Sequence, residues 1–448
     1  MRGGYALITD EQSIRGLVDK ERGLVSRRIF LDEDIYQQEL EQIFARSWLF
    51  VGHESQIPNV GDYVMSRMGE ESVIITRDQQ QKVHVFLNSC RHRGNRVCRY
   101  DQGNTTVFQC TFHGWTYDLE GNIAALPFHD GGYNDLPKSE WGLIEARVEL
   151  FEGSIWANWD DDAPGLIEYL GGAELYLSCL FRSIDGTPGG AEVIGGVPKW
   201  RLPCNWKVPS PDTDRTHGWI THKSVNIVGI GPSGEGRRDN RGTSGKQYTV
   251  SFPHGHTMSM SLPREDAEPY KGSWASTPIV REYLEHAYEQ RKKVMGALAA
   301  TQAAPGIFPN MGSQGGQPWD IRVMHPAGAQ MTEIWTWFFV DKQAPTEVKQ
   351  IVRDYYNRYS GPAGMTQQDD MENWHWSTAA SRGTITKRYP YNYQLFIDEK
   401  PEHGPSTFGL PGMFTSIMSD ENHRRYYQRW AEMMSARSWD EMLHEPVR

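Results

Sequence analysis

Two short residue pairs carry the clearest chemistry in this 448-residue chain, Cys90-Arg91-His92 and Cys110-Thr111-Phe112-His113. Each supplies one thiol and one imidazole, and the seventeen residues 93–109 separate them. Two sulfurs and two ring nitrogens can close a tetrahedral zinc site. They can also hold an iron–sulfur cluster in which two histidines replace two cysteines on one iron. The single residue between Cys90 and His92 is short for a zinc pair, which usually leaves about two to four. Gly114 and Trp115, directly after the second pair, add a close backbone approach and an indole shield. Both suit a cluster whose potential depends on excluding water. Cys98 lies near the first pair but fits neither ligand slot, and reads as a small buried residue.

A second group of metal-binding types lies downstream, in Asn205-Trp206-Lys207 followed by Asp214, His217 and His222. Two histidines and a carboxylate form the face of a non-haem Fe(II) site and leave other positions open for dioxygen. Residues five apart lie about 140° around a regular helix, so His217 and His222 share a face only if the helix is broken or bulged. By itself H-x4-H describes two ordinary surface histidines as readily as a metal site. His254-Gly255-His256 offers another pair, read as histidines satisfied within a strand. Gly229-Ile230-Gly231-Pro232-Ser233-Gly234 matches G-x-G-x-x-G, but Pro232 and the lack of a surrounding βαβ unit make it a flexible loop.

Two textures must position these residues. Across residues 49–162, short strand-like runs at 63–65, 72–76, 83–87 and 107–110 are broken by turns such as Gly61-Asp62 and Glu120-Gly121-Asn122. This range reads as a compact all-β domain with both Cys–His pairs on hairpin loops. Residues 1–48 read as a helical part, and 163–448 mix helices and strands. Residues 32–48, 278–298, 345–359 and 420–437 have helical spacing, and 332–340 is a strong strand. The expected class is α+β, with one antiparallel sheet covered by helices in the larger part.

The net charge of -11 argues against a nucleic-acid partner, which calls for a basic face. No run of eighteen apolar residues occurs, so no membrane span is expected. Residues 1–13 lack the apolar stretch of a signal or transit peptide. Five cysteines suit metal binding in a reducing compartment, here the cytoplasm, rather than a disulfide framework. With 16 Trp, 20 Tyr and 16 Phe, the chain can fill its cores and still line an apolar pocket.

NSCRHRGNRVC at 88–98 and CTFHGWTYDLEGN at 110–122 resemble the two halves of a Rieske [2Fe–2S] motif. They are similar in detail to those of the large (alpha) subunits of Rieske non-haem iron aromatic-ring-hydroxylating dioxygenases. The stretch from Asn205-Trp206-Lys207 to Asp214, His217 and His222 resembles the mononuclear iron region of the same family. Gly361-Pro362-Ala363-Gly364 with residues 367–374 resembles its segment bearing the carboxylate ligand. Alignment on that GPAG puts the ligand at Asp370, with Asp369, otherwise a helix N-terminal acid, as nearest rival. The resemblance runs from the helix at Asp32 to the closing helix near Trp430.

It implies a Rieske domain at 49–162 inserted in a helix-grip-like catalytic domain, whose N-terminal helical part is 1–48 and whose body is 163–448. Cys90, His92, Cys110 and His113 would hold the [2Fe–2S] cluster, and His217, His222 and Asp370 a mononuclear Fe(II). Asp214 would hydrogen-bond His217 and approach the second Rieske histidine of a neighbouring subunit, so that an electron can cross between chains. Electrons would come from NADH through a reductase and a ferredoxin, and O2 would enter an aromatic hydrocarbon or aromatic carboxylate as a cis-dihydrodiol. The assembly implied is a ring of three alpha subunits, with or without a small beta subunit. A monooxygenase of the same fold is the runner-up, ahead of a non-catalytic Rieske electron-transfer protein and a zinc-stabilised binding protein.

The chain departs from the family pattern in three places. The run from Lys207 to Asp214 is two residues shorter than usual. It leaves no clear counterpart for the amide near iron, and it brings Ser210 or Asp212 near that place and makes Asp212 an alternative bridge. Arg215 stands where relatives carry a small or apolar residue, and reads as solvent-facing or as a binding group for an aromatic acid. Ser360 stands where relatives often place an apolar pocket residue, which points to a different or more polar substrate. Arg91, Arg93, Arg96 and Arg99 read either as a solvated loop or as a basic rim for an acidic ferredoxin.

Overall fold

The computed structural model describes residues 13–133, 136–210, 220–222, 244–263, 277–314 and 319–443. The chain divides into two compact units, residues 44–163 and residues 1–43 with 164–448.

The described residues of the smaller unit form ten short strands. These are β1 Leu49–His53, β2 Asp62–Met68, β3 Glu71–Arg77, β4 Val83–Leu87 and β5 Gln102–Asn104, then β6 Phe108–Gln109, β7 Thr116–Tyr117, β8 Ile123–Ala125, β9 Arg147–Phe151 and β10 Ser154–Asn158. They form three antiparallel sheets, ordered β4-β3-β2-β5, β8-β7-β6 and β9-β10-β1. Apolar positions of the first two sheets meet in one core of Ile74, Phe86, Phe108, Trp115 and Tyr117, which also encloses Cys90, Cys98 and Cys110. Strand β4 leads directly into the first Cys–His loop, and β6 into the second.

The seat of β4 depends on an ionic clamp. His84 is buried between two carboxylates, with Nε2 2.9 Å from Asp78 Oδ2 and Nδ1 2.6 Å from Glu145 Oε1. Its ring lies parallel to that of Phe86, 5.4 Å away, which carries the clamp into the core around the cysteines. Lys82 approaches Glu145 from outside, at 3.8 Å.

The larger unit has strands β11 Ala191–Val193, β12 Lys199–Leu202, β13 Ser244–Ser251, β14 Thr257–Pro263, β15 Gln302–Gly306, β16 Met311–Gln314, β17 Asp320–Pro326, β18 Thr332–Asp341, β19 Glu402–His403 and β20 Met413–Ser416. Among the described residues these form two antiparallel ladders, β11-β18-β17-β16, with β12 also on β18, and β15-β14-β13-β20-β19, while Val18–Asp19, Leu24–Val25 and Tyr391–Asn392 make a separate small sheet. A bridge between Ile307 and Met311 turns β15 sharply into β16, and that corner breaks the hydrogen-bond ladder into two.

Five helices matter here: α1 Glu33–Glu39, α2 Pro278–Met295, α3 Thr346–Tyr359, α4 Gln367–Ser381 and α5 Glu421–Ser435. α3 buries Val348, Val352, Tyr355 and Tyr359, the i, i+4, i+7 face its spacing predicts. α5 buries Tyr426, Tyr427, Trp430, Met433 and Met434, so the polar closing helix is anchored by one aromatic face. The helix expected over 32–48 stops earlier. Regular turns end at Glu39, a wider π-type turn covers Leu40–Phe44, and Trp48 leaves the helix to be buried under the Arg147 guanidinium.

The clamp on His84 makes stability depend on pH in both directions. Burial alone would push its pKa down, but the bonds to Glu145 and Asp78 outweigh burial and raise it. The His84 bond holds Glu145 below the usual carboxylate range, and Asp78 is held low against burial by His84 and by the Lys82 and Gln80 amides. The contribution is therefore complete between about pH 4.5 and about pH 6.5. It is lost upward as pH passes the raised value of His84, and downward as the carboxylates protonate. We expect His84→Gln to lower the thermal midpoint most in that window and to remove the alkaline fall. Unfolding curves taken across pH 4–9 check this, and an unchanged difference between variant and parent at all pH values would contradict it.

Candidate functional site

Both Cys–His loops have the same backbone. Cys90 N–H donates to Asn95 O at 2.9 Å and Gly94 N–H to Cys90 O at 2.9 Å. Cys110 N–H donates to Trp115 O at 2.8 Å and Gly114 N–H to Cys110 O at 3.0 Å. Each loop closes on a glycine in the left-handed region, Gly94 at φ +71 and Gly114 at φ +76, where side chains are disfavoured. The two loops differ in where the histidine falls, second after one cysteine and third after the other. That one-residue offset turns the rings towards each other: His92 and His113 lie 4.6 Å apart, edge to face. The two thiols interact as a pair. Sequence couples sulfur to ring within each loop, whereas space couples sulfur to sulfur and ring to ring. Two sulfurs on one side and two imidazoles on the other match a two-iron cluster with a pair of cysteines at one end and a pair of histidines at the other.

Neighbouring groups tune this place. His92 is stacked at 5.2 Å on Trp115, whose indole N–H donates to Tyr133 Oη at 3.1 Å. Its Nδ1 is buried with no hydrogen-bond partner, a lone pair that an iron would satisfy. Burial pushes the Cys90 thiol up, with Tyr117 Oη 3.4 Å from its sulfur. Burial acts on Cys110 too, but the Asn95 amide and the Phe112 and His113 amide groups outweigh it and bring that thiol down. Asn88 braces the first loop by accepting from Val97 and Cys98 N–H, both at 2.9 Å. Cys98 is buried, with its sulfur facing Tyr100 O at 3.5 Å, and takes no part in the site. Asn88, Asn95, Tyr117 and Tyr133 escaped the sequence reading, because each reaches the loops through a contact that spacing does not encode.

Of the four arginines near the first pair, Arg91 is tied down: it donates to Gly142 O at 2.9 Å and covers the Trp141 ring. Arg93, Arg96 and Arg99 are exposed, and Arg93 meets His113 Nε2 and the ring of Phe112.

In the larger unit, Asp212, Asp214, Arg215, His217 and the 229–234 loop lie outside the described residues. His222 lies in a turn, half-buried, between two adjacent carboxylates. Its Nε2 is 3.4 Å from Asp370 Oδ1 and its Nδ1 3.6 Å from Asp369 Oδ2. Both acids occupy the first turn of α4, where the helix N-terminus favours negative charge. Asp370 is the more buried of the two, at 8% exposure. Met371 and Trp374 fix this helix against a small core of Leu202, Cys204, Met324 and Ile334. The chain before α4 is sharply folded, since a Cβ on Gly364 would stand 2.4 Å from Ser360 O. Ser360 is buried, and its hydroxyl donates to Asp320 Oδ2 at 3.2 Å. Burial pushes the Asp320 carboxyl up, and Arg322 at 3.1 Å opposes that. The proton of Ser360 is thus committed within the protein.

His254 and His256 do not join the site. His256 Nε2 donates to Tyr169 O at 2.7 Å and its Nδ1 accepts from Phe308 N–H at 3.0 Å, so both nitrogens are used. Burial pushes His256 down to about 3, which keeps it neutral.

Residues 47–139 match the description of a Rieske [2Fe-2S] domain. The chain is 34% identical over 446 residues to biphenyl dioxygenase subunit alpha of Paraburkholderia xenovorans strain LB400, covering 96% of this chain and 94% of that protein. It is 35% identical over 441 residues to benzene 1,2-dioxygenase subunit alpha of Pseudomonas putida strain F1, covering 95% and 94%. Its structure resembles that of a naphthalene 1,2-dioxygenase variant with phenanthrene bound, with a TM-score of 0.86, 29% identity and 97% of each chain covered.

Tyr117 gives a direct test of the sulfur pair. If Cys90 is a cluster thiolate, Tyr117→Phe removes a hydrogen bond that favours the reduced, more negative cluster. A bond of about 1 kcal/mol corresponds to about 40 mV for a one-electron couple. We expect the reduction potential to fall by about that amount with cluster content unchanged, read by redox titration of the cluster's EPR signal. An unmoved potential would remove Cys90 from the cluster.

Proposed function

Given that this chain belongs to the alpha subunits of the Rieske non-haem iron aromatic-ring-hydroxylating dioxygenases, we propose which of its residues carry the two metal centres. Cys90 and Cys110 bind one iron of the [2Fe–2S] cluster and His92 and His113 the other. His217, His222 and Asp370 bind the mononuclear Fe(II). The protein is an oxidoreductase that uses electrons and dioxygen to hydroxylate an aromatic ring. The observation that supports the iron assignment is His222 Nε2 facing Asp370 Oδ1 at 3.4 Å across a long sequence separation. One imidazole and one carboxylate on a shared side are the donor types that Fe(II) takes in a facial triad.

When bound, the cluster supplies single electrons and the Fe(II) supplies dioxygen activation. The protein's own groups do the rest. Asp369 lies against Nδ1 of His222 and so presents Nε2 on the side of Asp370. Met371 and Trp374 hold the carboxylate-bearing turn of α4 against the sheet. Asp214 fixes the tautomer of His217 and forms the bridge towards a neighbouring subunit's cluster. His113, beside the exposed Phe112, is the edge through which the electron leaves.

A ferredoxin and reductase deliver the electrons, and the exposed Arg93, Arg96 and Arg99 suit an acidic ferredoxin. The assembly is a trimer of alpha subunits, with or without beta subunits, in the cytoplasm. The five free cysteines agree with a reducing compartment. The substrate is an aromatic hydrocarbon of one to three rings. Relatives named for biphenyl and benzene support this, and the inward-committed Ser360 hydroxyl removes the argument for a polar substrate. The relatives' names speak for dioxygenation rather than for the monooxygenase reading.

Turnover of benzene, biphenyl, naphthalene and benzoate with a surrogate redox chain under labelled dioxygen tests this. We expect cis-dihydrodiols carrying two labelled atoms from the hydrocarbons, and a single labelled atom would overturn the reading. Asp370→Ala should keep the cluster's spectrum, lose the third iron and lose all diol. Asp369→Asn should keep the iron but bind it about tenfold more weakly, as removal of a ligand-orienting partner does. If Asp370→Ala retains the iron and Asp369→Asn loses it, the two acids exchange roles.

A further inference from the structure

The larger unit buries an ion pair whose two members lie far apart in sequence. Glu39, the last residue of α1, and Lys207 both have 0% side-chain exposure, with Oε1 and Nζ 2.6 Å apart. Two indoles complete the carboxylate: Trp430 Nε1 donates to Oε1 at 2.7 Å and Trp206 Nε1 to Oε2 at 2.8 Å. The ammonium lies 4.9 Å from the Trp206 ring centre and 5.8 Å from that of Phe30. Burial acts against both charges, raising Glu39 and lowering Lys207, while each partner opposes the shift in the other. Pairs this dry are often replaced by apolar residues without loss of stability, so stability alone is a weak reason to have one.

What the pair holds is a three-residue knot. Asn205 N–H donates to Thr378 Oγ1 on α4 at 3.1 Å, and its Nδ2 donates to Ala329 O, before β18, at 2.6 Å. Lys207 N–H donates back to Asn205 Oδ1 at 3.0 Å, and Tyr427 of α5 donates to Lys207 O at 3.1 Å. Ser210 closes the turn on Trp206 O at 2.6 Å. Thr378 is two turns along α4 from Asp370, and the chain leaving Lys207 runs on to His217 and His222. The knot therefore ties the start of the histidine-bearing segment to the helix that carries the carboxylate. Glu39 is its anchor on α1 and α5.

We propose that Glu39 is a positioning residue for the mononuclear iron site, setting the distance between the histidine segment and Asp370 through Lys207 and Asn205. This rests on the iron-ligand reading above. Glu39→Gln leaves the Lys207 ammonium without a counter-charge. Glu39→Gln with Lys207→Met removes both charges at similar volume, and so restores stability without restoring the ionic link.

The test uses the full chain, with the [2Fe–2S] spectrum as an internal record of folding. Release of the third iron to a chelator, and the thermal midpoint, are measured for both variants. We expect both to keep the cluster and to release Fe(II) at least about tenfold faster than the parent. In turnover, kcat should fall more than KM, with dioxygen consumed in excess of diol formed. If the double variant regains the parent's iron retention together with its thermal midpoint, the pair serves stability alone and the proposal fails. Failure of the ligand reading looks different: Asp370→Ala would then keep its iron, whatever Glu39 does.

Discussion

A carboxylate and an ammonium brought together with no exposure to water set a hard constraint on the larger unit. Each charge is tolerable only while the other stays within contact, so the elements that carry them are not free to drift apart. Glu39 ends α1, Lys207 follows β12 and Trp430 lies in α5, and all three must meet at one point. Apolar packing would hold the same helices with some tolerance of slip, whereas a pair whose carboxylate also accepts from two indole N–H groups does not slip. An iron site assembled from segments far apart in sequence needs that kind of fixed distance, because a small misplacement of a ligand costs binding and rate.

The smaller unit solves its problem locally. Cysteine and histidine sit within each loop, two backbone bonds and one glycine fix each loop, and the two loops are copies of one shape. Only the offset of one residue between C-x-H and C-x2-H breaks the symmetry, and that offset sorts the donors by element. His92 lies under Trp115 with its Nδ1 sealed from water, while His113 stands beside exposed Phe112 and Arg93. The inequality gives the site a wet edge and a dry interior.

Local features were legible in the sequence and long-range ones were not. The strand at 83–87, the helix at α3 and the buried aromatic face of α5 follow from spacing alone, because each is a short-period pattern against one core. Asn205-Trp206-Lys207 was visible as a motif, but its carboxylate partner was not: Glu39 lies inside the helix expected over 32–48, where nothing in the spacing marks it as the partner of a distant lysine. The same holds for Asn88 and Tyr117, whose types are common and whose partners are set by the fold. The corner between Ile307 and Met311, which divides the ladder of the larger unit, has no periodic signal and was not read. His254 and His256 were read as satisfied, and the Tyr169 carbonyl and Phe308 amide are what satisfies His256.

Placing Asp369 and Asp370 side by side carries a penalty that the architecture offsets. Two adjacent carboxylates repel, and a buried one also loses its hydration. Both stand in the first turn of α4, where the unpaired N–H groups and the helix dipole favour negative charge. His222 then enters between them with a different nitrogen towards each. One imidazole thereby separates the two acids, and the position of each decides its use. The more buried Asp370 faces Nε2 on the inner side, and Asp369 faces Nδ1 on the outer. A serine or asparagine at either position would keep the helix start, yet it would not place a full negative charge beside each nitrogen of the ring.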